Sequence, residues 1–202
     1  MDRTLLKNKF AEQGIRTKEV RGDYDLNPTM ERNKQSLTPA AVLVPLVLRQ
    51  GNLTVMLTRR TNTLAHHPGQ VSFPGGHIDP KDISATDAAL RETEEEVGIA
   101  RKHVEVIGEL DTYMTRTGFS VTPIVGIVTP PFEVIPDPIE VAEIFEVPIS
   151  FFMDKDNHKK HSRKFEGIDR QFYAMPYNKY FIWGATAGML INLYDVLKSI
   201  RA

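Results

Sequence analysis

The sequence predicts an α/β fold: a mixed β-sheet covered by helices on both faces. Three observations lead there. Ala40 to Leu48 is an apolar, valine-rich run, and the turn signal Gln50-Gly51-Asn52 joins it to a second run, Leu53 to Thr58, as in a hairpin. The segment from Ala85 to Val97 then repeats small or apolar residues at helical spacing, at Ala85, Ala89, Thr93 and Val97, with Leu90 nearby. Further strand-like runs follow, and Ile182 to Ile200 closes the chain as an amphipathic helix with Thr186, Leu190, Leu193, Leu197 and Ile200 on one face. Strands with helices fore and aft build a layered α/β domain.

The remaining elements fill in around that frame. Leu5 to Ile15 reads as a short helix, and 22–39 as a polar connector holding Pro28 and Pro39. Residues 1–39 thus form a helix and arm ahead of a main domain, 40–202. Val71 to Phe73 is a short strand running into Pro74-Gly75-Gly76. Ser84 or Thr86 caps the helix that follows, and Gly98 sits where a helix end takes a left-handed residue. Val104 to Tyr113 and Phe119 to Thr129 read as two strands parted by Thr117-Gly118. Ile139 to Pro148 is ambiguous: Glu140, Glu143 and Glu146 recur every three residues, while Val141, Phe145 and Val147 suit a strand. Lys164 to Met175 reads as a strand pair turning at Gly167.

Bulk properties exclude several functions. The 202 residues, 41% hydrophobic and 25% charged, suffice for a full core without staples. There is no cysteine, so disulfides, thiolate metal sites and cysteine nucleophiles are ruled out, and a reducing, cytoplasmic setting is favoured. A net charge of −1 argues against a general nucleic-acid binder. The first fifteen residues lack the apolar run of a signal peptide, and no run is long enough to span a membrane.

The chemistry concentrates in Arg91-Glu92-Thr93-Glu94-Glu95-Glu96-Val97-Gly98. On a helix, Glu92, Glu95 and Glu96 share a face. Like charges so placed repel by roughly 0.2–0.5 kcal/mol per pair, and glutamates near a helix C-terminus oppose the helix dipole. Such a cluster makes sense with a cation, and hard divalent ions take oxygen ligands and are shared with substrate phosphates. The competing reading is a plain acidic helix end. Arg91, four residues before Glu95, can hold that carboxylate by a charge-assisted bond. Fifteen residues upstream, Phe73-Pro74-Gly75-Gly76 lets backbone approach a ligand closely, and a free carbonyl there could complete a metal shell.

Gly76, Asp82 and Arg91-Glu92-Thr93-Glu94-Glu95-Glu96-Val97-Gly98-Ile99 together resemble the Nudix box, G-x5-E-x7-R-E-U-x-E-E-x-G-U, with U apolar. Asp82 stands in place of the first glutamate, the spacing from it to Arg91 is one residue longer, and Thr93 replaces an apolar residue. Leu57-Thr58-Arg59-Arg60, Leu64, His67, Gly69-Gln70-Val71, Phe73-Pro74-Gly75-Gly76, Asp79 and Asp82 resemble the pattern of one subfamily, the coenzyme A pyrophosphatases, with Ala65 where that pattern has arginine. Ile182-Trp183-Gly184-Ala185-Thr186-Ala187 is similar to a later signature of the same group.

The resemblance implies a Nudix-type α/β/α sandwich with a mixed β-sheet. It implies hydrolysis of the diphosphate of coenzyme A or an acyl-coenzyme A, giving 3′,5′-ADP and 4′-phosphopantetheine. Mg²⁺ or Mn²⁺ would sit on Glu92, Glu95, Glu96 and the Gly76 carbonyl. Arg91 would orient the carboxylates, and Glu92 or Glu95 is a candidate base. Arg60, His67, Gln70 and Phe73 are candidate substrate contacts, against the plainer readings of a strand end and a braced loop. Asp79 and Asp82 brace that loop. Alternatives are a Nudix enzyme acting on ADP-ribose, a nucleotide sugar or a dinucleoside polyphosphate, or a module that only binds nucleotide. The partner is a small nucleotide diphosphate, with neither nucleic acid nor membrane, and the N-terminal arm is compatible with a homodimer. The basic run Lys155, His158, Lys159, Lys160, His161, Arg163, Lys164 reads as a solvated loop face, with phosphate binding as its alternative. Trp183, the one tryptophan, reads as packing.

Overall fold

Apolar residues buried on both sides of one strand organise the molecule. In the computed structural model, which describes residues 3–13, 19–28, 37–64, 67–165 and 167–198, that strand is β2 (Thr38–Arg49). Val44 and Leu46 point into one core, and Ala41, Leu43 and Val47 into others on the opposite face. A strand covered on both faces needs no polar alternation, which is why this stretch of sequence is continuously apolar.

Three strands flank β2. The expected hairpin partner is β3 (Asn52–Arg60), antiparallel from Arg49↔Asn52 to Leu46↔Val55, turning at Gly51 with φ 73°. On its other side β8 (Phe119–Val128) runs parallel over ten residue pairs, Thr38↔Phe119 to Val47↔Val128. Beyond β8 lie β7 (Thr112–Met114) and the edge strand β1 (Val20–Gly22). Beyond β3 lies β4 (Val71–Ser72). Off this path, β5 (Gly75–His77) pairs antiparallel with the start of β2, β6 (Val104–Glu109) with β8, and β9 (Val141–Pro148) with β3. The result is one mixed sheet of nine strands.

Helix α2 (Ala85–Val97) covers one face, with Ala88 and Ala89 against Ala41, Leu43 and Ile124. The other face is covered by α1 (Arg3–Gln13), α3 (Ile149–Met153) and α4 (Gly184–Lys198), which supply Leu6, Phe10, Phe152, Leu190, Leu193 and Leu197 to the largest core cluster. This is the expected α/β/α sandwich. A separate antiparallel sheet, β10 (Lys159–Phe165), β11 (Ile168–Tyr177) and β12 (Tyr180–Trp183), precedes α4.

Several expectations are refined. The ambiguous segment is a strand, β9: Glu143 and Glu146 are drawn to Arg59 and Arg49 on the central sheet. The expected strand 104–113 is broken into β6 and β7, with a register shift at Gly108, whose missing side chain leaves room for Phe10. Ile182 and Trp183 belong to β12, not to the last helix, which starts at Gly184 with φ 63°. The basic run 159–164 is a strand, not a loop. Leu6 and Phe10 are in the core and β1 joins the sheet, so the N-terminal segments are knit into the main body. The expected helix end at Gly14-Ile15, the last residues expected at 199–200, and Ala65 lie outside the described residues.

Candidate active site

The acidic helix is placed by its ends. Ser84 caps α2, its hydroxyl accepting from the Asp87 N–H at 3.1 Å, and Gly98 closes it in the left-handed region with φ 76°. Thr93 is buried, its hydroxyl satisfied by the Ala89 carbonyl at 2.7 Å. The proline-rich connection after β8 completes the C-terminus: the N–H groups of Ile135 and Asp137 donate to the carbonyls of Val97 and Glu96, each at 2.9 Å. Glu92 and Glu96 therefore project from fixed backbone towards β5.

The expected three-carboxylate cluster is graded in depth. The side chains of Glu96, Glu92 and Glu95 are 5%, 18% and 56% exposed. Glu96 accepts the Gly75 N–H at 3.2 Å and has the Arg60 Nη1 3.8 Å away. Burial pushes its carboxyl up to about 8, against weaker opposition from that N–H and Arg60. Burial also raises Glu92, against the pull of Arg91. The Glu92 carboxylate fills the space over Gly76, where an added Cβ would lie 2.7 Å from its atoms. Glu94 is exposed, as expected for a solvated charge.

Arg91 ties the loop to the helix. Its Nε and Nη2 grip Asp82 with two bonds of 2.9 Å. Its Nη1 donates to Glu92 and to Glu95, both at 2.8 Å, and Nη2 reaches the His77 carbonyl at 3.2 Å. The Arg91 bonds are the chief reason Asp82 is held down at about 2; Asp82 in turn accepts the Asp79 N–H at 2.8 Å. Asp82 thus braces the loop, and Arg91 orients two glutamates from one guanidinium.

The candidate substrate contacts separate. Arg60 faces Glu96, and its buried Nε donates no hydrogen bond among the described residues. A buried donor left open in this way is suited to a ligand oxygen. His67 and Gln70 hold each other, Nδ1 to Oε1, at 3.1 Å in the loop before β4, and the Gln70 carbonyl accepts the Arg60 N–H. Phe73, expected as a substrate contact, is 2% exposed and packs in the main core cluster. The sequence reading missed Glu140, in the turn before β9, whose charge raises both Glu92 and Glu96. Nothing local in the sequence marks it, since it lies far along the chain from the helix.

These groups fit a hard divalent cation. Glu96 is buried with only a long contact to a counter-charge, Glu92 and Glu140 add negative potential, and Gly76 presents backbone without a side chain. No three carboxylate or imidazole side chains converge as a ready cage among the described residues, because Glu92 and Glu95 are turned to Arg91. A cavity of about 450 Å³ lies elsewhere, between β1, β7, β11 and α4. Charged groups in its wall are already matched, Arg21 by Asp111 and Asp195, and Asp23 by the Tyr113 hydroxyl. Among the described residues, no helix is long and apolar enough to cross a membrane.

Comparison with known proteins agrees with this geometry. A family model described as NUDIX domain matches residues 37–169. The chain is 41% identical over 168 residues to "Uncharacterized Nudix hydrolase NudL" of Enterobacter sp. (strain 638), covering 83% of this chain and 87% of that one. It is 39% identical to the protein of the same name from Escherichia coli (strain K12), with the same coverage. Among solved structures, "Crystal structure of a Nudix Hydrolase from M. Smegmatis, RenU" superposes with a TM-score of 0.52 at 18% identity, covering 82% of this chain and 88% of that one.

Proposed function

We propose, from the premise that this chain belongs to the Nudix family and is a pyrophosphohydrolase, that its substrate is coenzyme A or an acyl-coenzyme A. The products are 3′,5′-ADP and the (acyl-)4′-phosphopantetheine. The observation that carries this reading is the match from Leu57 to Asp82, broken at Ala65, which leads through Arg60, Gly69-Gln70-Val71 and Phe73-Pro74-Gly75-Gly76 into the acidic helix. The broader alternative, a Nudix enzyme acting on ADP-ribose, a nucleotide sugar or a dinucleoside polyphosphate, shares the helix but gives no account of that upstream pattern.

In this reading Glu92, Glu95, Glu96 and the Gly76 carbonyl would hold Mg²⁺ or Mn²⁺, with Glu95 at the exposed rim. When bound, the cation neutralises the diphosphate and lowers the pKa of a coordinated water. The chain's own groups supply positioning. Arg91 fixes the carboxylates of Glu92 and Glu95, and through Asp82 it fixes the loop that presents Gly76. Arg60, with its open Nε, takes a phosphate oxygen. Glu92, Glu95 and Glu140 are the carboxylates available to receive the proton of the attacking water. His67 and Gln70 line the approach. Residues 40–202 form the hydrolase proper, preceded by the helix and arm of 1–39, and the cytoplasm is the compartment proposed for a chain without cysteine.

The test is a substrate panel at equal concentration with Mg²⁺ or Mn²⁺: coenzyme A, ADP-ribose, a nucleotide sugar and diadenosine tetraphosphate, with products identified by mass spectrometry. The expected result is fastest turnover of coenzyme A, with 3′,5′-ADP as a product. Faster turnover of ADP-ribose would overturn the assignment, and an unchanged rate in Glu95→Gln would remove that residue from the mechanism.

A further inference from the structure

The small sheet presents an outer face that the reading above does not use. Side chains two apart on a strand share a face. On β10 one face carries His161, Arg163 and Phe165, and the register places Phe172, Arg170 and Ile168 of β11 directly opposite them. The β12 residue paired with Ala174 on this face is Trp183. The opposite face of β11 and β12 carries Met175 and Ile182 into the core; on the first face Ala174 is buried beside Trp183, while His161, Arg163, Phe165 and Ile168 are exposed.

Two features of this face work against folding. Arg163 and Arg170 are direct cross-strand partners, and like charges so placed are destabilising. Neither has an acidic partner among the described residues, and the Nε of Arg170 is buried without a hydrogen bond there. A third guanidinium joins them: Arg116, in the turn between β7 and β8, lies over the Phe165 ring at 4.0 Å. Beside the arginines is an aromatic shelf. The His161 ring lies near-parallel to Phe172 at 5.9 Å, and Trp183 meets Phe172 edge-on at 5.3 Å. Arginines bind phosphate oxygens through paired bonds, and flat rings accept a base.

Two sets of contacts link this sheet and its flanking turn to segments that neighbour the acidic helix. The turn that carries Arg116 ends at Phe119, whose ring is 5.4 Å from that of His77, next to Gly76. At the other end β12 packs beside β4, and Thr186 at the start of α4 donates to the Val71 carbonyl at 3.0 Å, just after Gln70. A substrate with its diphosphate at Glu92 and Glu96 would carry its nucleoside towards this wall.

We propose that the outer face of the β10–β11–β12 sheet binds the phosphorylated nucleoside end of the substrate, with Arg163 and Arg170 on the phosphate of its ribose and the His161–Phe172 shelf against its base. This rests on the coenzyme A reading, in which that end carries a third phosphate remote from the scissile bridge. It supplies a reason for two facing arginines that the fold alone does not need.

Trp183, the one tryptophan of the chain, lies on this face and reports binding directly. The experiment is a fluorescence titration of the full chain with 3′,5′-ADP and with 5′-AMP, in the presence of magnesium. The expected result is saturable quenching by both, with 3′,5′-ADP bound about tenfold more tightly or better, the scale of a charge-assisted contact. Arg163→Gln with Arg170→Gln should bring 3′,5′-ADP down to the affinity of 5′-AMP, and Arg163→Lys alone should recover part of the difference. Equal affinity of the two ligands in the unaltered chain, or an undiminished preference in the double variant, would overturn the proposal. Because binding is read without turnover, a chain that prefers 3′,5′-ADP yet leaves coenzyme A intact would refute the substrate assignment and leave this face standing.

Discussion

The Glu92 carboxylate occupies the space that a methyl group on Gly76 would need, 2.7 Å from the ideal Cβ. The glycine is thus required for what stands above it. Its neighbour Gly75 differs: φ is 151°, and a Cβ there would meet the Ala41 carbonyl and Val42 Cα at 2.4 and 2.5 Å.

The two glycines should therefore fail in different ways. Gly76→Ala displaces only the far end of a flexible side chain, so its melting temperature should stay close to that of the unaltered protein. Its kcat/KM should drop about 100-fold, the cost of a misplacement of about 1 Å. Gly75→Ala presses on backbone and should lose stability outright. Thermal denaturation and steady-state kinetics on the pair check this. Equal melting losses would defeat the distinction.

Arg91→Lys keeps the charge but loses the fork that grips Asp82, Glu92 and Glu95 together. We expect kcat/KM to fall by about 10–100-fold, on the scale of one or two charge-assisted bonds. The Mg²⁺ concentration for half-maximal rate should rise, because the carboxylates are no longer aligned. A metal titration of the rate reads both.

Glu96→Gln should raise stability while removing activity. The Glu96 carboxyl is held above its ordinary 4.5, up to about 8, chiefly by burial. The folded chain therefore binds the extra proton between those values, and its stability falls as pH rises through that window. Glutamine does not titrate and can still accept the Gly75 N–H. Without divalent metal, the two proteins should melt alike below pH 4.5, and the variant should melt higher at pH 8. A difference of a few degrees is expected, since about 1 kcal/mol moves a domain of this size by roughly 2–4 °C.

Glu143 makes the opposite case. Bonds from Lys179 and the Tyr180 hydroxyl, with Arg59 alongside, hold its carboxyl at about 2, below its ordinary 4.5. Its contribution is present above pH 4.5 and is lost as pH falls towards 2. Glu143→Gln should be less stable than the parent at pH 7, with the gap closing across that acid window. Melting curves from pH 7 to pH 2 test the sign.

How much of this was legible in the sequence depends on whether the cause was local. The hairpin of β2 and β3 was, because burial on both faces leaves a plain apolar run. So was the end of α2, where Gly98 takes a conformation other residues avoid, and so was the i,i+4 bond from Arg91 to Glu95. The β9 strand was obscured because Glu140, Glu143 and Glu146 mimic a helical spacing, although Glu143 and Glu146 answer arginines on another strand. The burial of Phe73 is not legible from its place beside Pro74-Gly75-Gly76; it comes from packing in the main core. Glu140 becomes visible only when distant segments meet, whereas the facing arginines 163 and 170 flank the hairpin turn at Gly167 and needed only its exact register and the start of its first strand. The strand β12 was hidden in an apparent helix, since Ile182 and Trp183 continue its apolar character up to Gly184.

The proline-rich connection between β8 and β9 has a wider consequence. One end of it closes the acidic helix through Ile135 and Asp137, and the other delivers Glu140. Lengthening or shortening that stretch would change the gap between two sets of negative side chains while leaving every one of them in place. With the metal held as proposed, the affinity for divalent cations should therefore respond to the length of a surface segment whose own contribution to the site is Glu140 alone.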